Sequence, residues 1–277
     1  MTAGDNRETA LKLLLGLADG VDPASVTPDF TWWVQGRGEK TLAEFSVALA
    51  AAASQRTGPP RYGVRGVTSE GDRVAIELEG LTPLTGGRLY NNCYHFLVAF
   101  RDGVPCGVRE YYNTAYAADT FAGGGVVVAV NQPHDDEDAE PDVGGATLEE
   151  RKALALQLVE ITAAGGVPTD LVTQDVVWWV PGRGSMSLAV IQDVVAKFGK
   201  VWGGPGQIDL VGVTAEGTRV ALEYESRIPL ADGRIYNNSY HLLAKFRGNK
   251  IRQIREYNDS RYYREMFSGI AAGQLYD

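Results

Sequence analysis

The sequence of 277 residues contains two copies of one unit, separated by a constant 146 positions. Trp32-Trp33 recurs as Trp178-Trp179, and Arg109-Glu110-Tyr111 recurs as Arg255-Glu256-Tyr257. The offset does not change between these motifs, so the copies align there without a gap. Two long copies indicate a duplicated domain, because a solenoid would show three or more short repeats. The sequence therefore predicts two homologous domains in one chain.

The region between the copies has a different composition from either of them. It contains Gly123-Gly124-Gly125 and then six acidic residues between positions 135 and 142, with no Lys or Arg among them. An acidic run of this kind is typical of a solvated linker. We predict copy 1 over residues 1–122, a Gly-rich and acidic linker over 123–146, and copy 2 over 147–277.

Composition and charge exclude several classes of function. The net charge of −9 disfavours nucleic acid and anionic membranes as partners. No apolar run is long enough for a membrane helix, and the N-terminus lacks the apolar core of a secretion signal, so a cytoplasmic protein is expected. Two cysteines and three histidines, none with metal-ligand spacing, predict no metal site.

The order of predicted elements indicates an α+β fold in each copy. Thr41 with Glu44, and Thr147 with Glu150, have the spacing of capping boxes at helix starts. Strand-like stretches separated by turn residues fill the second half of each copy. Helices followed by hairpin-connected strands predict a curved antiparallel sheet with helices packed on its concave face. Two such domains are expected to pair as a pseudo-twofold dimer.

In the long predicted strand of each copy, one face has polar side chains at its beginning and apolar side chains along the rest. Side chains alternate along a strand, so every second residue shares this face. Its polar members are Arg88, Tyr90, Asn92 and Tyr94 in copy 1, and Arg234, Tyr236, Asn238 and Tyr240 in copy 2. Apolar walls with a few convergent polar groups are typical of a small-molecule pocket. The alternative interpretation is a core with satisfied tyrosines.

Two further pairs of residues are candidates for the same pocket. Glu110 and Glu256 lie in the last strand, and a carboxyl group in apolar surroundings can act as an acid or base near neutral pH. The alternative is an ion pair with an arginine of an adjacent strand. Trp33 and Trp179 either stack on a ring-shaped ligand or anchor the core.

Three motifs of copy 2 resemble the SnoaL-like branch of the nuclear-transport-factor-2-like, ketosteroid-isomerase-like superfamily. They span 177–184, 233–241 and 254–259, and copy 1 carries weaker forms of them. The resemblance implies a cone-shaped α+β domain around a deep pocket. It also implies cofactor-free chemistry such as isomerisation, aldol ring closure, epoxide hydrolysis or dehydration, although many members only bind ligands.

The chain departs from two branches of this superfamily. Where ketosteroid isomerases place an Asp base, the nearest residues are Trp33 and Trp179, so that base is missing. Epoxide hydrolases of the limonene-epoxide type use an Arg and two Asp, whereas each polar face here has an Arg and no Asp. A two-carboxylate epoxide hydrolase is therefore not expected.

The leading hypothesis is an enzyme that performs acid/base chemistry on a small, largely apolar cyclic metabolite. Glu256 and Glu110 would move a proton, while the Tyr and Asn side chains of the polar face donate hydrogen bonds to a developing oxyanion. No cofactor is expected, and the predicted partner is a small-molecule ligand. Two alternatives are a binding protein without catalysis and a scaffold in which one pocket has degenerated.

Overall fold

A computed structural model describes residues 3–122 and 144–268 of the chain. The chain divides into two compact units, Met1–Gln132 and Pro133–Asp277. Most of the predicted linker, residues 123–143, lies outside the described residues. The domain boundaries and the pseudo-twofold pairing therefore stay predictions, and each copy is described by itself below.

Copy 1 contains three α-helices and six strands within its described residues. They follow in the order α1 (Ala3–Leu15), β1 (Thr31–Val34), β2 (Gly38–Thr41), α2 (Leu42–Ala53), β3 (Arg61–Glu70), β4 (Arg73–Leu84), β5 (Arg88–Arg101), β6 (Val104–Tyr112) and α3 (Thr114–Phe121).

Copy 2 repeats this order, with one long strand divided into two. Its elements are α4 (Leu148–Ala163), β7 (Val172–Val180), β8 (Gly184–Ser187), α5 (Leu188–Phe198), β9 (Gln207–Glu216), β10 (Arg219–Pro229), β11 (Ile235–Tyr236), β12 (Ser239–Arg247), β13 (Lys250–Asn258) and α6 (Ser260–Phe267). No helix within 3–122 and 144–268 combines the length and apolar character needed to cross a membrane.

Each copy forms a mixed sheet. The strand order is β2-β1-β6-β5-β4-β3 in copy 1 and β11-β10-β12-β13-β7-β8 in copy 2, where β9 also pairs with β10. Strand β1 runs parallel to β6, and β7 runs parallel to β13. The α+β class is confirmed, but the expectation of a purely antiparallel sheet is wrong. The first strand lies beside the last one after a long crossover, and a crossover of that length permits parallel pairing.

The helices of each copy pack on one face of its sheet. In copy 1, Leu14 of α1, Phe45 of α2 and Ala117 of α3 share a buried cluster with Trp32 and Val98 of the sheet. The rings of Trp32 and Phe45 stack with their centroids 4.0 Å apart. An equivalent cluster joins α4 and α5 to the sheet of copy 2. The helix-covered face is therefore the face on which a pocket would lie.

Both predicted capping boxes are formed, and one of them gives a testable stability difference. The Thr147 hydroxyl accepts from the backbone N–H of Glu150, and Glu150 accepts from the backbone N–H of Thr147. Thr147→Ala is expected to lower the free energy of unfolding by about 1 kcal/mol, because it leaves one N–H of the first turn without a partner. Urea unfolding followed by circular dichroism measures this loss.

Ser187 provides the matched control for that measurement. It is the N-cap of α5, but its side chain makes no capping hydrogen bond. Ser187→Ala is therefore expected to change the stability by less than about 0.5 kcal/mol. Equal losses in the two variants would contradict the assignment of the capping box.

Candidate functional site

In copy 1 a tryptophan of β1 holds a glutamate of β6. Trp32 Nε1 donates a hydrogen bond of 2.9 Å to Glu110 Oε2. The parallel pairing of the two strands sets Val34 opposite Glu110, and alternation then places Trp32 on the same face as the glutamate. Trp32 is fully buried, whereas Glu110 keeps part of its surface exposed. The indole thus fixes one carboxyl oxygen of a side chain that solvent still reaches.

Copy 2 repeats this contact and adds a second donor. Trp178 Nε1 donates a hydrogen bond of 3.1 Å to Glu256 Oε2. Asn258 Nδ2 donates one of 2.8 Å to Glu256 Oε1. The residue of copy 1 that corresponds to Asn258 is Tyr112. Both oxygens of Glu256 are therefore held, while Glu110 accepts a side-chain hydrogen bond at one oxygen.

Burial sets the proton affinity of both carboxyl groups. It raises the pKa of Glu110 to about 7, and the Trp32 hydrogen bond and the charge of Arg37 oppose this only in part. Burial also raises the pKa of Glu256, against the hydrogen bonds from Asn258 and then Trp178. Within the described residues neither glutamate forms an ion pair, so the alternative interpretation of a salt bridge is not supported. A carboxyl group with a pKa of about 7, such as that of Glu110, can give or take a proton near neutral pH.

A glycine-rich turn supplies the nearest cation in each copy. Arg37 and Arg183 lie in the turns that join β1 to β2 and β7 to β8, and each lowers the pKa of its glutamate through its charge. In copy 1 the flanking Gly36 and Gly38 have φ values of 71° and 75°. Glycine adopts this left-handed conformation at little cost, which explains the Gly-Arg-Gly sequence.

The charge of each glutamate acts on several tyrosines of its own copy. Burial raises the pKa of Tyr90 and Tyr94, and the charge of Glu110 adds to both shifts. Glu256 acts in the same way on Tyr236 and Tyr240. The hydroxyls of Tyr236 and Tyr240 lie 3.2 Å apart. These phenols stay neutral near pH 7, so they are hydrogen-bond donors beside the carboxyl group.

Each copy adds one tyrosine that sequence reasoning missed. The charge of Glu110 also raises the pKa of Tyr62 on β3, after the larger effect of burial. In copy 2, burial and then the charge of Glu256 raise the pKa of Tyr224 on β10. The Tyr224 ring stacks on Tyr240 with centroids 4.7 Å apart. Tyr62 and Tyr224 are not separated by 146 positions. A search for residues shared by the two copies therefore could not find them. We call each set the carboxyl–tyrosine cluster: Glu110, Tyr62, Tyr90 and Tyr94 in copy 1, and Glu256, Tyr224, Tyr236 and Tyr240 in copy 2.

The two asparagines predicted to bind a ligand are fully engaged by the protein itself. Asn238 Nδ2 donates to the Tyr236 hydroxyl at 2.7 Å and to the carbonyl of Asp259 at 3.2 Å. Its Oδ1 accepts from the backbone N–H groups of Ser239 and Asp259. Asn92 makes the same four contacts in copy 1. A carboxamide has two donor hydrogens and two acceptor sites, so these residues position Tyr236 and Tyr90 and have no capacity left for a ligand.

The two arginines of the predicted polar face lie away from the glutamates. Arg88 donates to the carbonyls of Thr85 and Thr120, the latter near the end of α3. Arg234 donates to the Asp232 carboxylate and to the carbonyl of Met266 near the end of α6. Cations near helix C-termini bind otherwise unpaired carbonyls. The arginines therefore anchor the last helix of each copy.

Trp33 and Trp179, predicted as pocket walls or core anchors, lie on the opposite face from the glutamates. The Trp33 ring packs on Tyr111 and lies 4.3 Å below the guanidinium carbon of Arg109. Trp179 is buried against Tyr257. The tryptophans that contact the glutamates are Trp32 and Trp178, which precede Trp33 and Trp179 in the sequence. Alternation with the apolar Phe30 and Val34 was the signal that could have found Trp32.

Each copy therefore presents one glutamate of intermediate exposure, with a buried carboxyl group whose charge acts on nearby tyrosines. Such a group can exchange a proton with a bound molecule, and the hydroxyls can bind an oxygen on which charge develops. Among residues 3–122 and 144–268, no three His, Cys, Asp or Glu side chains lie close enough to share a metal ion.

No protein-family model and no curated protein matches the sequence. Among solved structures, PrhC from Penicillium brasilianum matches 48% of this chain and 95% of its own, at 13% identity and a TM-score of 0.42. An NTF2-like protein from Anabaena variabilis matches 42% and 94%, at 24% identity and a TM-score of 0.36. A protein described as a SnoaL-like polyketide cyclase, from Jannaschia, matches 42% and 90%, at 20% identity and a TM-score of 0.35.

Two of these structural neighbours are described as NTF2-like and as SnoaL-like. Each of them matches about half of the chain and nearly all of its own length.

Proposed function

We propose that the chain is a SnoaL-like, cofactor-free acid/base enzyme that acts on a small, largely apolar cyclic metabolite. The observation that carries the proposal is a partly exposed glutamate, held by an indole and surrounded by neutral phenols, in both copies. The glutamate takes a proton from carbon beside a carbonyl group. The enolate oxygen then accepts hydrogen bonds from tyrosine hydroxyls, each worth about 3 kcal/mol in the transition state.

The roles within each carboxyl–tyrosine cluster follow from its contacts. In copy 2, Glu256 moves the proton. The Tyr236 hydroxyl, which accepts from Asn238, keeps its own proton for a bound oxygen. In copy 1, Glu110 and Tyr90 occupy the corresponding positions and make the corresponding contacts. Aromatic rings around these groups favour a flat, apolar ligand.

Exchange of carbon-bound hydrogen for deuterium tests this proposal without knowledge of the natural substrate. A panel of cyclic ketones and enones is incubated with the protein in D₂O, and loss of the α-proton signal is followed by NMR. We expect protein-dependent exchange in at least one compound, because abstraction and return of the proton need only one carboxyl group. A double variant, Glu110→Gln with Glu256→Gln, is expected to lose it.

A second candidate function is ligand binding without turnover. It is favoured by the presence of a single carboxyl group in each cluster, with no independent second acid or base. Compounds of the same panel that shift the indole N–H signals of the protein but show no exchange would support this candidate and overturn the first.

A further inference from the structure

The two copies differ at the residue two positions after the glutamate on the same strand. In copy 2 this is Asn258, whose amide donates to Glu256 Oε1 at 2.8 Å. In copy 1 it is Tyr112, whose ring packs on Tyr94 with centroids 5.9 Å apart. The tryptophan contact is shared, so the difference between the two carboxyl groups is one charge-stabilising donor.

The groups that exchange charge effects with the glutamates are alike in kind in both copies. The residue opposite the tryptophan is Lys40 in copy 1 and Met186 in copy 2, but the charge of Lys40 is not among those that shift the pKa of Glu110. Each carboxyl lies within reach of one arginine of the Gly-Arg-Gly turn and of three tyrosines. For Glu110 these are Arg37, Tyr62, Tyr90 and Tyr94, and for Glu256 they are Arg183, Tyr224, Tyr236 and Tyr240. A hydrogen bond to a carboxylate favours its charged form over its protonated form. The additional amide is therefore the feature that separates the two sites.

We propose that Asn258 makes the two copies chemically unequal: it holds Glu256 as a proton acceptor, whereas Glu110, without such a donor, is kept as a proton donor. The inference rests on the proposed function of the two carboxyl groups. In copy 2 the proton moves from a carbon of the ligand to the Glu256 carboxylate, and the electron pair stays on the ligand as an enolate. Copy 1 instead donates a hydrogen bond from its protonated carboxyl group to a ketone or enolate oxygen.

This division predicts which ligands each copy takes. Copy 2 fits a neutral carbonyl compound with an acidic C–H bond. Copy 1 fits a compound that presents an oxygen acceptor, and it is expected to bind that compound less well above neutral pH, where Glu110 loses its proton. Asn258 is a positioning residue in this scheme, because it acts through Glu256.

The indole N–H signals allow each carboxyl group to be titrated in the intact protein. The chain has five tryptophans, and Trp32 and Trp178 donate directly to Glu110 and Glu256. In ¹⁵N-labelled protein their signals are assigned with Trp32→Phe and Trp178→Phe and followed from pH 4 to pH 9. The signals of Trp33, Trp179 and Trp202 serve as internal references. Glu110→Gln and Glu256→Gln are expected to abolish the titration of the matching signal.

The wild-type titration alone can overturn the inference. We expect the Trp32 signal to shift with a midpoint near pH 7, following the raised pKa of Glu110. We expect the Trp178 signal to shift at lower pH than the Trp32 signal, because Asn258 donates to the charged form of Glu256. Coincident midpoints, or a higher one for Trp178, would contradict it.

Reciprocal variants test the role assigned to Asn258. Asn258→Leu removes the donor at similar volume and is expected to raise the Trp178 midpoint by about one pH unit. Tyr112→Asn supplies a donor in copy 1 and is expected to lower the Trp32 midpoint by about the same amount. An unchanged Trp178 midpoint in folded Asn258→Leu would overturn the proposed role. If that variant fails to fold, an unchanged Trp32 midpoint in Tyr112→Asn overturns it.

The titration needs no ligand, so its result is independent of the exchange assay. Separate midpoints with no exchange in any compound would reject the proposed chemistry and leave the difference between the copies standing. Exchange with coincident midpoints would reject the difference and keep the chemistry.

Discussion

In protein that carries Glu110→Gln, so that copy 1 cannot mask the effect, Glu256→Gln is expected to slow α-proton exchange by roughly 10²- to 10⁴-fold, which is the typical contribution of a positioned general base. Glutamine keeps the length of the side chain but offers no group basic enough to take a carbon-bound proton. The glutamine amide has one oxygen and one NH₂ group in place of the two carboxyl oxygens. It can therefore keep the hydrogen bond from Trp178 or the one from Asn258 in the present geometry, but not both. The initial rate of signal loss in D₂O measures the effect on any compound that the wild-type protein exchanges.

Two further glutamate variants define that result. Glu160 lies exposed on α4, so Glu160→Gln carries the same chemical change away from the cluster and is expected to leave the rate unchanged. Glu256→Asp keeps a carboxylate but withdraws it by one methylene group, and a smaller loss is expected. A wild-type rate in folded Glu256→Gln would show that Glu256 is not the base.

Asn238→Leu is expected to lower the free energy of unfolding by about 3 kcal/mol. The side chain is 3% exposed and makes four hydrogen bonds that join β12 to the Tyr236 hydroxyl and to the start of α6. Leucine fills a similar volume but leaves the N–H groups of Ser239 and Asp259 without their acceptor, and each unpaired buried group costs about 1–3 kcal/mol. Urea unfolding followed by tryptophan fluorescence measures the change.

The neighbouring asparagine is the matched control. Asn237 is exposed, so Asn237→Ala is expected to change the stability by less than about 0.5 kcal/mol. Asn92→Leu removes the same set of contacts in copy 1 and should cost about as much as Asn238→Leu. If the two substitutions at 237 and 238 proved equally mild, the network around Asn238 would not carry the stability assigned to it.

Local patterns of the sequence predicted much of the fold. The constant offset required two copies, and capping boxes at Thr41 and Thr147 marked two helix starts that the structure confirms. Alternation along the long strand placed Tyr90 and Tyr236 on the helix-covered face, where both are buried. The capping boxes and the alternation depend on residues a few positions apart, and short-range geometry therefore determines them.

The composition of the candidate site was harder to predict from the same patterns. The two glutamates were found, since their strand has apolar neighbours on the same face. The tryptophan beside each glutamate was placed one residue too late, on Trp33 and Trp179. Within a single strand, alternation shows which residues share a face, but only its partner strands show which face meets the glutamate.

The asparagines and arginines show a second reason why the site was harder to predict from the sequence than the fold. Asn92 and Arg88 share a strand face with Tyr90, so the sequence grouped them with the ligand-binding residues. In the structure they bind the segment around α3 instead, because that helix returns to the end of the same strand. Whether a polar side chain faces a ligand or another part of the chain depends on what the fold brings next to it.

The sequence by itself determined the duplication, the α+β class and the position of one glutamate in the last strand of each copy. Only the tertiary structure decided that β1 lies parallel to β6, that Trp32 rather than Trp33 holds Glu110, and that Asn258 adds a donor to Glu256 alone. Repeats and alternation can be recognised along the chain, whereas the β1 and β6 contacts join strands that meet only after a long crossover. The Asn258 hydrogen bond depends on how two side chains of one strand are oriented in the folded protein. The proton affinity of each glutamate is set by those contacts and by burial, so it too belongs to the folded chain.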